Sequence, residues 1–229
     1  MTDVPVEVDG RRMTISNLDK VLYPRTGTTK GEVLHYYATI ATVLLPHLAD
    51  RCVTRIRWPH GVGDSSFFEK NAPGGMPSWI RTVEVPTTGS RTASREERVL
   101  RFPVIDDLPT LTYLVNLASL ELHVHQWTVT KTGKPKKPNR LVIDLDPGEP
   151  AGLMECSQVA LLVRNRLAAD GLETVPVTSG SKGLHLYAGL DGKRSSDEVR
   201  DYAKVAAEEL QAEHPKLVVS QMAKARRGG

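Results

Sequence analysis

A chain of 229 residues, 40% apolar and 25% charged, is long enough to bury a core as one domain or a compact two-lobed one. Its 30 basic and 27 acidic side chains leave a formal charge of +3, which permits a nucleic-acid partner without requiring one. The two cysteines, Cys52 and Cys156, lie too far apart in sequence to suggest a disulfide scaffold or a zinc clip, and no apolar run approaches a membrane span.

In chain order, the first predicted helix is Lys30–Leu48, where Val33, Tyr36, Tyr37, Ile40, Val43, Leu44 and Leu48 recur at helical spacing behind a Thr28 or Thr29 cap. A second helix over 107–122 repeats the pattern through Leu111, Leu114, Val115, Ala118 and Leu122. Short strands are expected at 52–58, 65–70, 98–105 and 123–129. The Lys-, Pro- and Gly-rich stretch 131–140 (KTGKPKKPNR) marks the sharpest boundary, between an N-terminal lobe of about 1–130 and a second half of about 138–229. That half reads as a strand at 140–146, a helix at 153–170, strands at 173–178 and 183–188, a helix at 196–213 and an apolar run at 217–219. The order β-α-β-β-α-β is the split βαβ arrangement of ferredoxin-like and RNA-recognition-like folds. The expected class is α/β (α+β), with mixed or antiparallel sheets flanked by helices.

Chemistry concentrates in five segments. In LVIDLDPG, residues 141–148, strand alternation sends Leu141, Ile143 and Leu145 into a core and Val142, Asp144 and Asp146 the other way. Two carboxylates on one strand face repel unless a cation lies between them, and hard oxygen ligands suit Mg²⁺ or Mn²⁺. Alone, such a pair is also what a solvated strand end looks like. In TSGSKGLHLY, residues 178–187, small residues let backbone amides approach an anion, and Lys182 adds a compact charge. The bland alternative is a glycine-rich hairpin with a solvated lysine. In ELHVHQW, residues 121–127, Glu121, His123 and His125 share one face; His123 is placed to meet a phosphate or a ribose hydroxyl, and His125 is assigned to structure. In the N-terminal turn 17–30, Lys20, Arg25 and Lys30 surround a helix start, a ready anion site and equally an ordinary capped helix with surface lysines. In RIRWPHGVGDSSFFEK, residues 55–70, Arg57 and Trp58 accompany Phe67 and Phe68, one of which is expected on an open face where it can stack on a base.

Together these segments, from TISNLDKVLYPRTGTTKGEVLHYY through LVIDLDPGE to VTSGSKGLHLY, resemble the polymerase (primase-polymerase) domain of bacterial ATP-dependent DNA ligase D, of the archaeo-eukaryotic primase superfamily. The resemblance spans about residues 12–229 and implies a two-lobed primase-like core. It implies template-dependent addition of NTPs or dNTPs, often ribonucleotides, at DNA ends and short gaps in non-homologous end joining, with Mn²⁺ or Mg²⁺ as cofactor. Double-stranded ends bearing a 5′-phosphate are the implied partner, with Ku and an ATP-dependent ligase as associates, in the cytoplasm at the nucleoid and away from membranes.

By the resemblance, Asp144 and Asp146 are the catalytic metal ligands, and His123, Ser179, Lys182, Phe67, Phe68 and Arg57 surround the incoming nucleotide. Asn17, Lys20 and Lys30 match a pocket for the 5′-phosphate, and Arg227 matches a template contact. Two departures stand out. Ile56 replaces a lysine in the arginine-rich strand. The family also places a third metal-binding aspartate in a Val-Asp-Trp strand beyond Gly229, which predicts a chain that polymerises poorly and leaves a DNA end-binding or bridging module as the alternative.

Overall fold

The computed structural model describes residues 3–87 and 98–220, so Arg227 lies outside the described residues. The chain divides into two compact units, Met1–Pro135 and Lys136–Gly229. Among the described residues no helix is long and apolar enough to cross a membrane.

The first unit opens with a hairpin of β1 (Asp3–Val8) and β2 (Arg11–Ser16), turned by Asp9 and Gly10 at φ 46° and 75°. A second small hairpin, β3 (Val21–Tyr23) with β4 (Thr28–Thr29), leads into α1 (Lys30–Leu48), which has the predicted bounds. Thr29 is the cap: its hydroxyl accepts from the Glu32 amide while the Glu32 carboxylate accepts from the Thr29 amide, a reciprocal capping box. Next come β5 (Val53–Arg57), β6 (Phe67–Glu69), β7 (Thr82–Thr87), β8 (Arg98–Pro103), α2 (Leu108–Asn116) and β9 (Ser119–Val124).

The second helix is shorter than its apolar spacing suggests. Asp107 caps α2 and Leu117 closes it, then Ala118 turns left-handed at φ 59° and the chain enters β9. Leu120 and Leu122 pack toward the core between the exposed Glu121 and His123, which is strand alternation. β5 is central in an antiparallel sheet of order β6-β5-β9, and Val53, Leu111, Leu114 and Val115 join α1 residues such as Val33, Ala41 and Leu48 in one core. A second cluster joins Val83, Phe102, Val104, Cys52 and Val129. The predicted strand 123–129 is in fact the end of β9 and a separate β10 (Trp127–Val129), which pairs with β11 (Pro135–Pro138).

In the second unit β12 (Arg140–Leu145), α3 (Leu153–Ala169), β13 (Thr174–Thr178), β14 (Leu184–Gly189) and α4 (Ser196–Glu213) follow in the predicted order. The sheet order is β12-β14-β13, with β14 antiparallel to both neighbours. Leu141, Leu184, Leu186 and Ala188 pack with Cys156, Val163 and Leu167 of α3 and with Val199 and Leu210 of α4. The apolar run at 217–219 forms no strand; Leu217 and Val218 turn back and pack into this core after His214 closes α4. Arg166 ties α3 to α4, reaching Asp170 and Glu209 at 2.6 Å each.

Candidate functional site

The N-terminal basic turn is assembled by backbone bonds. The Lys20 amide donates to the Asn17 carbonyl at 3.1 Å, and the Lys30 and Gly31 amides donate to the Lys20 and Leu18 carbonyls at 2.8 Å. Asn17 takes a left-handed conformation at φ 55° to close the turn. Lys30 is buried, with Nζ donating to the Ser16 carbonyl at 2.6 Å. Burial first, and the neighbouring Lys20 charge second, push its amine down to about 8, opposed by Asp3. Asn17, Lys20 and Lys30 are therefore brought together around one helix start, where the first helix amides already have protein acceptors and the paired lysine charges are what favour an anion.

The sheet of the same unit sorts its side chains by register. Thr54 lies opposite His123, and Ile56 lies opposite Glu121 on one side and Phe68 on the other. Phe68, Ile56, Glu121 and His123 thus share one face. His123 Nε2 lies 3.0 Å from a Glu121 carboxylate oxygen, with the imidazole half exposed. Phe67 and Phe68 are 51% and 62% exposed, so neither enters the core; β6 is an edge strand of three residues with no further strand paired to it among the described residues. Arg57 lies on the opposite face, donating to Leu117 O at 2.7 Å and Glu69 at 2.6 Å.

The second unit carries the carboxylates. Asp144 projects from β12 away from the α3–α4 core, opposite His185 of β14, whose Nε2 stands 3.3 Å from Asp144 Oδ1. β12 ends at Leu145, one residue earlier than predicted, so Asp146 lies just past the strand and is exposed. Between them, the Leu145 carbonyl meets the Cys156 thiol at 3.6 Å. Burial, aided by the charges of Asp146 and Asp144, pushes that thiol up.

The β13–β14 loop closes against the same carbonyl. A Cβ at Gly183 would overlap Leu145 O, so only glycine lets the loop approach this closely. Ser179 Oγ accepts from the Gly183 amide at 3.1 Å and the Ser179 amide donates to Gly183 O at 3.0 Å, while Gly180 turns at φ 85°. Lys182 Nζ lies 2.9 Å from Glu149 and holds that carboxyl below its usual range. Segment 144–149 and loop 179–183, which bear four predicted site residues, thus meet in one unit. Glu149, Gly183 and Glu69 were missed from sequence, whereas Glu121 was placed on the face of His123; a glycine inside a strand-bounded polar loop is the one local cue, since Glu149 and Glu69 act on partners distant in sequence or across a sheet.

The donor set fits a small divalent cation. Two exposed carboxylates, one steadied by His185, supply the oxygen ligands that Mg²⁺-type ions take from protein, with water and substrate phosphate completing the shell. Among the described residues no group of three His, Cys, Asp or Glu side chains is set to hold a metal.

Two units of this architecture, one carrying a carboxylate-tipped strand packed against a glycine loop, define a domain of the primase-polymerase class. The polymerase domain from Mycobacterium tuberculosis ligase D, solved in complex with DNA, aligns with a TM-score of 0.85 at 43% identity, covering 95% of this chain and 75% of that one. Residues 29–229 match the family described as LigD, primase-polymerase domain. The multifunctional non-homologous end joining DNA repair protein LigD of M. tuberculosis H37Rv is 44% identical over 224 residues, 96% of this chain and 28% of that protein. The bifunctional non-homologous end joining protein LigD of Bacillus subtilis 168 is 31% identical over 211 residues, 92% of this chain and 32% of that protein. The chain belongs to the LigD primase-polymerase domain family, and it spans less than a third of these relatives' length.

Proposed function

We propose that the chain adds nucleotides, template-dependently, at DNA ends and short gaps in non-homologous end joining. In this reading it recognises the 5′-phosphate of the downstream strand through Asn17, Lys20 and Lys30, and works beside Ku and an ATP-dependent ligase at the nucleoid. The observation that carries the reading is the approach of Gly183 to Leu145, which brings the loop of Ser179 and Lys182 against the strand end that bears Asp144 and Asp146.

Asp144 and Asp146 would hold Mn²⁺ or Mg²⁺, which supplies charge neutralisation for a triphosphate and for in-line attack by a primer hydroxyl. His185 steadies Asp144 Oδ1, and the Asp144 side chain stays largely exposed. Ser179 accepts amide bonds from its own loop, so its hydroxyl proton remains to donate to a phosphate oxygen. Lys182 exchanges Glu149 for the triphosphate. His123 and Phe68, on one face of their sheet, bind the nucleotide or its templating base, with Phe67 at the same strand. Arg57 serves this group from the opposite face by holding β6, and Arg227 contacts the template.

The test is extension of a gapped, 5′-phosphorylated duplex with Mn²⁺, comparing NTPs with dNTPs. Template-directed addition that requires the metal and improves with the 5′-phosphate is expected. A second reading, an end-binding module without transfer, is favoured by the assembly of Asn17, Lys20 and Lys30 wholly within the first unit. Phosphate-dependent binding with no extension under either metal selects it.

The pH dependence of end binding follows from Lys30. A phosphate monoester, with a second pKa of about 6, is already dianionic above neutrality. An anion binds the ammonium form, so affinity is full below the amine's pKa of about 8 and falls as pH rises through it. Bound phosphate raises that pKa, so the midpoint moves upward in the complex. Fluorescence anisotropy with 5′-phosphorylated and 5′-hydroxyl ends should give a difference that shrinks from about pH 7 to about pH 10, and Lys30→Arg should flatten it. A parent with a constant difference over that range would remove Lys30 from the pocket.

A further inference from the structure

β6 presents two half-exposed phenyl rings from a strand of three residues at a sheet edge. Three backbone pairings, Arg55↔Glu69, Ile56↔Phe68 and Arg57↔Phe67, are thin support for such a load. Exposed aromatic side chains add nothing to the core that would hold the strand down.

Glu69 supplies what the ladder lacks. Its Oε1 accepts from Arg57 Nη1 at 2.6 Å and its Oε2 faces Arg55 Nη2 at 3.1 Å. Both guanidiniums are anchored elsewhere, Arg57 on Leu117 O at 2.7 Å and Arg55 on Asn71 O at 2.5 Å. Arg55 is fully buried, and its Nε and Nη1 have no hydrogen-bond acceptor among the described residues. Lifting or sliding β6 would strip this buried cation of its carboxylate, and a buried charge without its partner is strongly unfavourable. Lys70, just past the strand, lies 5.8 Å over the Phe68 ring and steadies it.

We infer that Glu69 is a positioning residue: the Arg55–Glu69–Arg57 bridge fixes β6 so that Phe68 meets the nucleotide or template base ready-placed. This rests on the stacking role given to the rings above. Glu69 touches no substrate; it acts through the strand that carries them.

The experiment is a mutant cycle on the full chain. The readouts are quenching of a 2-aminopurine-labelled template strand, and KM and kcat for gap filling. Phe68→Ala should weaken binding about tenfold and remove most of the quenching, since a stacked base is lost. Glu69→Gln, which keeps size but removes the charge, should produce a similar loss and raise KM with kcat little changed. The double variant should be no worse than Phe68→Ala alone, because both act through one ring. A general structural defect would instead add to the ring deletion and lower kcat. Where Glu69→Gln does not fold, Glu69→Asp, which withdraws the carboxylate by one methylene, takes its place under the same criterion. Phe68→Ala weakened with the Glu69 variant at parent level, or additive effects in the double variant, overturns the clamp alone. Phe68→Ala binding like the parent sinks the stacking role and the clamp together.

Discussion

Asp144→Ala should reduce nucleotide addition on the order of 10³-fold or more, the loss expected when several kcal/mol of metal-borne charge stabilisation goes. Affinity for a 5′-phosphorylated end should stay within about twofold of the parent, because the proposed end pocket is built from first-unit residues alone. Asp144 is 68% exposed at its side chain, so its removal leaves no buried partner unsatisfied beyond His185 and should not unfold the unit. His185→Ala keeps both carboxylates and loses only the support of Oδ1; it should cost about 10–100-fold, the usual effect of a group that orients a ligand. Extension of a gapped duplex measures the first quantity and anisotropy the second. Near-parent extension by Asp144→Ala would remove the carboxylates from the chemistry. Loss of end binding together with extension would mean that the phosphate pocket and the carboxylate tip do not act independently.

Local cues carried the second unit well. A β-branched and leucine-rich strand, two amphipathic helices and two further strands follow the pattern of the chain, with the bounds off by a residue or so. The first unit was harder for a physical reason. Leu122 fits both the helical stripe that runs from Leu111 and Leu114 and the strand alternation it shares with Leu120, and the left-handed turn at Ala118 separates the two. Asp9-Gly10 between alternating residues was a readable hairpin signal that went unused. The run at 217–219 has strand composition yet packs as a turn, since Val218 fills the α4 side of the core without an extended backbone.

At the site, residue types were legible and their partners were not. Asp144, Asp146, Ser179 and Lys182 stand on segments that meet, as alternation and small-residue spacing suggest. The sequence assigned Lys30 to an anion site or a surface; burial to 4% and its bond to Ser16 O come from the folded turn, which no spacing rule encodes. One phenylalanine was expected on an open face, and both are exposed because β6 is an edge strand. Glu149 finds Lys182 across 33 residues of chain. Such pairings depend on tertiary register, which propensity does not see.

That register is most sharply set at Gly183, and Gly183→Ala should be among the most damaging small substitutions in the second unit. The new Cβ would overlap the Leu145 carbonyl oxygen. That oxygen has little room to retreat, since the Cys156 thiol of α3 meets it from the core at 3.6 Å. β12 and β14 must therefore part at Leu145↔Leu184, and the neighbouring Asp144↔His185 pair opens with them. Overpacking of this kind costs about 1–3 kcal/mol, enough to lower the melting temperature of the unit by several degrees. Activity should fall further than stability, because a displacement of about 1 Å at reacting groups can cost on the order of 10²-fold. Gly171→Ala, in the turn after α3, is the control. At φ 76° with no atom within 4 Å of a new Cβ, it bears only left-handed strain of about 1–2 kcal/mol. It should melt earlier yet extend primers at close to the parent rate. If Gly183→Ala matches Gly171→Ala in both melting and extension, the close approach of loop and strand does not set the carboxylates.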